Sequence, residues 1–114
     1  MLKKENRLTK RKEFGYIYKK GKNAYSKFLM LVYVPTKLKK IRVGFSISKK
    51  IGKAHTRNLV KRRLRAIIFE LIKNNKLKTN NYIFIANVGI DNLSFEELKN
   101  QVMYLITKEN LVNE

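Results

Sequence analysis

Residues 41–65 read IRVGFSISKKIGKAHTRNLVKRRLR, and this stretch decides how the chain folds. Over residues 41–48 apolar residues alternate with polar or small ones, which is typical of a β-strand with one buried face. We expect the core side of this strand to carry Ile41, Val43, Phe45 and Ile47. The other side then carries Arg42, Gly44, Ser46 and Ser48. After Gly52 the pattern becomes helical, and we predict a helix capped by Thr56 that continues to about residue 73.

The predicted helix separates into an apolar face and a cationic face when its residues are placed about 100° apart. The apolar face should lie on the sheet and consists of Val60, Leu64, Ile67, Ile68 and Leu71. The cationic face consists of Arg57, Lys61 and Arg65 at four-residue spacing, with Asn58 and Arg62 beside them. Like charges four residues apart destabilise an isolated helix. Arg57 and Asn58 also fall in the predicted first turn, where the helix dipole favours an anion. The pattern therefore indicates a surface that binds a polyanion.

Positive charge is concentrated in one part of the chain. The 114 residues carry a net charge of +19. Residues 1–65 contain 22 Lys and Arg against Glu5 and Glu13, whereas residues 66–114 contain five Lys against six acids. A solvated charged helix face is the ordinary alternative, but such faces mix charges of both signs. A one-sided basic patch is instead the electrostatic footprint of a protein that binds nucleic acid.

The segments before residue 41 predict a helix followed by two strands. Residues 9–20 form an amphipathic pattern that begins at Thr9 as N-cap and ends at Gly21, with Phe14, Ile17 and Tyr18 on one stripe. Residues 23–27 suit a short strand, and residues 28–34 are continuously apolar, which suits a strand buried on both faces. The lysine-rich turn at 37–40 should join this strand to the next as a hairpin.

The segments after residue 73 predict one more strand, at 82–88, and a closing helix at 94–107. Ser94 and Glu97 have the spacing of a capping box at the start of that helix. Its buried face should consist of Phe95, Leu98, Val102 and Leu105. The predicted fold is a single α+β domain over residues 1–114, with the order α-β-β-β-α-β-α. It is a sandwich in which one mixed sheet packs against helices and part of the other sheet face is open.

Composition excludes several classes of site. The chain has no cysteine, which removes disulfides, thiol nucleophiles and zinc knuckles, and His55 is its one histidine. No apolar run approaches the length of a membrane span, and we expect the chain to be cytoplasmic. A membrane-surface role is the alternative on charge alone, but the strand content argues against it.

Three segments together resemble the protein subunit of bacterial ribonuclease P. They are RLTKRKEFGYIY at residues 7–18, RVGFSISKKIGKAHTRN at residues 42–58 and KRRLR at residues 61–65. The resemblance covers nearly the whole chain and is most specific over residues 42–65. It implies a ribosomal-protein-like fold with a left-handed β-α-β crossover and a cleft between the first helix and the sheet.

The resemblance also implies a function. Members of this family assist a catalytic RNA that removes the 5′ leader from precursor tRNA, and hydrolysis is carried out by the RNA with bound Mg²⁺. We therefore expect two partners, the ribonuclease P RNA and precursor tRNA. We expect no cofactor, metal or catalytic residue on the protein itself, and a monomer when the protein is free.

Site residues are transferred from the family one position at a time. The resemblance implies RNA contacts for Lys49, Lys50, Lys53, Arg57, Asn58, Lys61, Arg62 and Arg65. The third arginine of the family's Arg-Asn-Arg motif is replaced by Leu59, and Arg63 is an additional cation. The leader-binding cleft should contain Phe14, Tyr18, Leu31, Ser46 and Ser48. Single-stranded RNA is commonly held by a basic groove with aromatic platforms, which suits Phe14 and Tyr18, although aromatics at helical spacing are more often core residues.

Two further functions are compatible with a basic α+β domain. One is a structural RNA-binding protein of the ribosomal type with no role in processing. The other is a nuclease that acts without RNA, but two-metal hydrolysis needs convergent carboxylates. The basic half offers only Glu5 and Glu13, and the other acids are scattered through the second half of the chain. The nuclease is therefore the weakest of the hypotheses.

Overall fold

A four-stranded sheet and three α-helices account for most of residues 2–114, the part of the chain that the computed structural model describes. The elements are α1 (Arg11–Lys20), β1 (Lys22–Tyr25), β2 (Leu29–Val34), β3 (Arg42–Ser46), α2 (Ala54–Lys73), β4 (Asn81–Ala86) and α3 (Phe95–Lys108). Short 3₁₀ turns occur at Lys4–Asn6, Lys49–Ile51 and Ile90–Asn92. The predicted element order and fold class are confirmed.

The strands lie in the order β1-β2-β4-β3, and this order contradicts the predicted hairpin between β2 and β3. Strand β4 lies between them, antiparallel to β2 and parallel to β3. The lysine-rich segment at 37–40 therefore crosses to the far edge of the sheet. The hairpin in this part of the chain is β1–β2, which are antiparallel neighbours. Helix α2 joins the parallel neighbours β3 and β4 and forms the β-α-β crossover that the resemblance implies.

The two faces of the sheet bury clusters of different size. The larger cluster lies between the sheet and helices α2 and α3 and contains the whole predicted apolar face of α2. The smaller cluster lies under α1 and consists of Leu8, Ile17, Val32, Val34 and Ile83. Strand β2 contributes to both clusters, as expected for a strand buried on both faces. One helix alone covers the second face, which leaves part of that face open.

Helix ends agree with the sequence at α3 and differ at α1 and α2. The Ser94–Glu97 capping box is present, with both reciprocal hydrogen bonds formed. Helix α1 begins after Lys10 and α2 begins after Lys53, and neither has a side-chain cap. The predicted caps at Thr9 and Thr56 are therefore wrong. Phe95 is 43% exposed rather than buried, because it lies at the first position of α3.

None of the helices in residues 2–114 is long and apolar enough to span a membrane. The longest helix is α2, and the cations along it leave no apolar stretch long enough to span a membrane. This agrees with the absence of a long apolar run in the sequence.

Candidate nucleic-acid interface

Arg57, Lys61 and Arg65 form one line along α2, which we call the cationic ridge. The buried face of α2 places this line beside the sheet rather than in open solvent, so all three side chains are half-buried. Asn58 and Arg62 lie further round the helix and are exposed. The helical spacing read from the sequence therefore brings the predicted cations together on one side of α2.

The start of α2 holds Arg57 in place. Gly52 has a φ of 153°, a backbone conformation that favours glycine, and its carbonyl accepts a 3.1 Å hydrogen bond from Arg57 Nε. The backbone N–H of Arg57 donates to Lys53 O at 3.0 Å. Because α2 begins earlier than predicted, Arg57 and Asn58 lie beyond the first three residues of the helix. Their predicted place in the first turn is wrong, and the free N–H groups belong to residues 54–56.

Lys49, Lys50 and Lys53 precede α2 and are all exposed. The first two lie in the 3₁₀ turn, and Lys53 occupies the N-cap position of α2. His55 is also exposed at the second residue of the helix. These cations extend the positive surface of the ridge past the helix N-terminus, where the dipole adds to the positive potential.

No carboxylate neutralises the cationic ridge within residues 2–114. The one ion pair in this part of the chain joins Glu13 on α1 to Arg42 on β3. The hydrogen bond from Arg42 is the main reason why the pKa of Glu13 lies below its ordinary value. Arg65 Nε is buried and has no hydrogen-bond partner. An unpartnered buried donor costs stability, and a bound anion would satisfy it.

Arg63 lies on the opposite flank of α2 and cannot replace the missing third arginine. Its Nη1 donates to the carbonyl of Leu93 at 3.1 Å, which ties α2 to the turn before α3. Leu59 occupies the motif position of that arginine and is half-buried. Arg63 is therefore not part of the cationic ridge.

A cavity of about 120 Å³ connects the ridge to the first helix. Lys61 and Arg65 line one side of it, and Phe14 of α1 lines another. The N-terminal segment closes the third side, because Leu8 N donates to Val43 O at 2.9 Å along the outer edge of β3. That segment brings Arg7 and Thr9 to the cavity wall. Neither residue was predicted to belong to the site. Both belong to the segment at residues 7–18 that resembles the family, which is the sequence signal that could have found them.

Phe14 lies against β3 because Gly44 leaves room for its ring. A Cβ atom at Gly44 would overlap the ring carbons of Phe14. Tyr18 follows one turn later on α1, with its ring centroid 6.4 Å from that of Phe14 and an interplanar angle of 53°. Phe14 is half-buried and Tyr18 is 45% exposed, so neither ring is enclosed by the core. The structure places both predicted aromatics at the cleft, and their contact with a leader remains a prediction.

Leu31 cannot contribute to the cleft, and this prediction is wrong. Its side chain is completely buried in the larger cluster, on the sheet face covered by α2 and α3. Tyr33 lies on the same face and donates a 2.7 Å hydrogen bond to Glu109 of α3. Because side chains alternate along a strand, the β2 residues that face α1 are Met30, Val32 and Val34. An error of one residue in position moved the prediction to the wrong face.

One row of side chains on the α1 face is left uncovered, and we call it the open row. It runs across all four strands through the register pairs Tyr25–Met30, Met30–Ile85 and Ile85–Ser46. Tyr25 is exposed and the other three are half-buried. Ser46 is thus placed beside the cleft as predicted, and Ser48 lies just past the end of β3 and is exposed. Met30 and Ile85 were missed because the register between distant strands cannot be read from one sequence.

Acidic side chains do not converge anywhere in the described part of the chain. Residues 2–114 contain no group of three or more His, Cys, Asp or Glu side chains arranged to hold a metal ion. The two acids of the basic half are far from forming such a group, since Glu13 is paired with Arg42 and Glu5 is exposed.

Comparisons with known proteins identify the family of this chain. The sequence profile of the family Ribonuclease P matches residues 2–110. The chain is 39% identical to the ribonuclease P protein component of Bacillus velezensis over 111 residues, which covers 96% of this chain and 94% of the relative. It is 32% identical to the ribonuclease P protein component of Streptococcus pyogenes, with 97% and 92% covered.

A solved structure gives the same result for the fold. The RNase P protein of Staphylococcus aureus superposes with a TM-score of 0.87 at 25% identity, and the match covers 95% of this chain and 98% of that one. Sequence and structure therefore lead to one conclusion: this chain belongs to the family of bacterial ribonuclease P protein components.

Proposed function

We propose that this chain assists a catalytic ribonuclease P RNA in removing the 5′ leader from precursor tRNA. The observation that carries the proposal is the cavity in which Phe14 of α1 meets Lys61 and Arg65 of α2. Aromatic rings beside a basic groove are the usual means of holding single-stranded nucleic acid. Family membership supports the RNA partner, and the cavity supports a place for the single-stranded part of the substrate between α1 and α2.

The cationic ridge is the surface that binds the RNA backbone. Arg57, Lys61 and Arg65 repel one another at four-residue spacing, and no carboxylate in residues 2–114 relieves this repulsion. A row of phosphates would relieve it and would satisfy Arg65 Nε, which is buried without a partner. Phosphate contacts of this kind position a protein on its nucleic acid without reading sequence.

The leader lies along the cleft between α1 and the sheet. Phe14 and Tyr18 supply ring faces for bases, and each stacked base contributes about 1–3 kcal/mol. Ser46 and Ser48 have small polar side chains beside the cleft, which let a nucleotide chain approach the β3 edge. Stacking is tolerant of sequence because every base has a π-face, so this part of the site holds leaders of different sequence.

Hydrolysis belongs to the RNA. Cleavage of a phosphodiester by two metal ions requires carboxylates that converge on them, and the acids of this chain are scattered or paired. In this assembly Mg²⁺ is held by the RNA and its substrate. The protein raises substrate affinity by binding the leader and lowers the repulsion between the two RNAs. We further propose that the free chain is a monomer, which sedimentation equilibrium tests directly, and that it acts in the cytoplasm.

Reconstitution with a bacterial ribonuclease P RNA tests the proposal. At low Mg²⁺, adding the chain should accelerate removal of the leader from precursor tRNA, whereas the chain without RNA should cleave nothing. The matched comparison is Lys61→Ala/Arg65→Ala against Lys99→Ala/Lys108→Ala on α3, because both double variants remove two positive charges. Absence of stimulation by the wild-type chain would favour a structural RNA-binding protein of the ribosomal type.

A further inference from the structure

Tyr25 is the outermost member of the open row and the member most accessible to a ligand. It lies on the edge strand β1, where its register partner is Met30. Its neighbour Ala24 is buried in the larger cluster, so Tyr25 points to the opposite face, the one that carries α1. Its side chain is 57% exposed, which is far more than packing of β1 against β2 requires.

We propose that Tyr25 is a further stacking platform for single-stranded RNA, so that the leader path continues from the cleft across the sheet to β1. This inference rests on the proposed function and extends its site. The open row crosses all four strands, and three inter-strand steps span about 14 Å. A path of that width accommodates several nucleotides, in line with the site sizes of about 4–16 nucleotides found for single-strand binding surfaces.

Charge around Tyr25 favours RNA as the occupant. Lys27 follows β1 and is exposed, whereas Lys22 lies on the other face of the strand, because side chains alternate along it. None of the four strands contains an acidic residue, so the sheet itself adds no carboxylate to the open row. An exposed aromatic ring on a sheet whose strands carry no acid, within the basic half of the chain, matches a nucleic-acid strand better than a protein surface, which would offer both signs of charge.

Tyr25 supplies an aromatic ring beside β2 residues that have none. On β2 the residues that face α1 are Met30, Val32 and Val34, and none has a ring. Tyr25 is the aromatic side chain on the α1 face of β1 and β2, and it lies one strand further out than a ring on β2 would. Four-stranded sheets whose surface aromatics stack successive bases are an established way to bind RNA strands. A leader that stacks on Tyr25 therefore extends from the cleft to β1.

Leader length provides the test. Holoenzyme reconstituted with the wild-type chain, Tyr25→Ala or Tyr25→Phe is titrated with precursor tRNAs whose leaders increase from one nucleotide to about ten, within the range of single-strand site sizes. Tyr25→Ala should lose at least about fivefold in affinity for long leaders and nothing for the shortest, since one stacked base contributes about 1 kcal/mol or more. Tyr25→Phe keeps the ring and should behave like the wild type.

Tyr104→Ala is the matched control. Tyr104 is 54% exposed on α3, and the Lys108 ammonium lies over its ring. It lies away from the open row. This variant should bind leaders of every length like the wild type. Thermal unfolding of each variant shows whether the fold is intact.

The possible outcomes separate this inference from the proposed function. If Tyr25→Ala matches the wild type at every length while Phe14→Ala binds weakly, the extension to β1 is wrong and the cleft stands. If Tyr25→Ala weakens short and long leaders equally, Tyr25 has a different role and the inference also fails. A wild-type holoenzyme whose affinity does not depend on leader length would overturn both.

Discussion

The two faces of the sheet differ in how completely they are covered, and neighbouring residues on the same strands show the difference. Leu31 and Phe84 are register partners and are both fully buried against α2 and α3. Met30 and Ile85 are the adjacent pair, and both are only half-buried beside α1. One face thus supplies the hydrophobic core that stabilises the domain, and the other keeps a strip of surface for a ligand.

Charge follows the same division. The flank of α2 that faces the cleft carries the cationic ridge, which has no carboxylate partner within residues 2–114. The other flank carries Arg63, whose guanidinium is bound to the carbonyl of Leu93. The cations of one helix therefore differ: those of the ridge have no carboxylate partner within residues 2–114, and Arg63 on the other flank is fixed to a turn.

The largest expected effect is on the covered face. Phe84→Ala should lower the free energy of unfolding by about 3–5 kcal/mol, because it leaves a cavity in a fully buried site. Ile85 is the next residue on the same strand. Ile85→Ala should lower the free energy of unfolding by less than half as much, because the side chain of Ile85 is only half-buried. Urea denaturation of both variants measures the contrast. Equal losses would mean that the two faces contribute alike to stability.

The second prediction concerns the ridge. Lys61→Ala/Arg65→Ala should lower affinity for ribonuclease P RNA by about 10- to 100-fold, since each charge-assisted contact is lost. It should also flatten the plot of log affinity against log salt by about 1–2 units, because fewer counterions are released. Filter binding at several salt concentrations measures both quantities. Lys99→Ala/Lys108→Ala serves as the control, and an equal change in its slope would show that net charge alone governs binding.

The third prediction displaces the cleft aromatic without removing it. Gly44→Ala adds a methyl group that overlaps the Phe14 ring, so the ring must move, at a cost of about 1–3 kcal/mol in stability. Leader affinity should fall, while affinity for the ribonuclease P RNA alone should not change. Gly15→Ala is the control, because a Cβ atom there meets nothing within 4 Å. It should instead stabilise α1 by about 0.5–1 kcal/mol.

The smallest expected effect concerns the ion pair at the edge of the cleft. Glu13→Gln should lower stability at pH 7 by about 1 kcal/mol, because Arg42 loses a charged acceptor that is only partly buried. The pKa of Glu13 is lowered in the folded state, chiefly by the hydrogen bond from Arg42. Its contribution is therefore complete above its unfolded pKa and is lost as pH falls through the folded pKa.

The difference in unfolding free energy between the wild type and Glu13→Gln should thus be constant near neutral pH. It should shrink once the pH drops below 4.5, the ordinary value for this carboxyl. Urea denaturation between pH 7 and pH 3 measures this trend. Glu114→Gln, at the exposed C-terminal end, should leave stability unchanged throughout. A difference that grew toward low pH would contradict the assignment of the ion pair.

Local patterns explain why most elements and the ridge could be predicted. The alternation over residues 41–48 and the helical period of α2 depend on residues close together in the chain, and both are confirmed. The Ser94–Glu97 box is equally local and is present. The predicted caps at Thr9 and Thr56 failed because a threonine before a helical pattern marks a possible start, and the backbone began α1 later and α2 earlier.

Pairing between distant strands explains what could not be predicted. The hairpin between β2 and β3 was wrong because β4, which follows both in the chain, lies between them. Leu31 was placed in the cleft from its position in a motif, yet a shift of one residue along a strand moves a side chain to the opposite face. The open row has members from all four strands, so no single segment of sequence contains it.

The row of cations on an amphipathic helix can be read from the amino-acid sequence of this protein alone, because charge and period are properties of consecutive residues. The aromatic rings and sheet residues that lie beside that row can be identified only from the tertiary structure. Those neighbours depend on strand order and register, which are set by contacts between segments far apart in the chain.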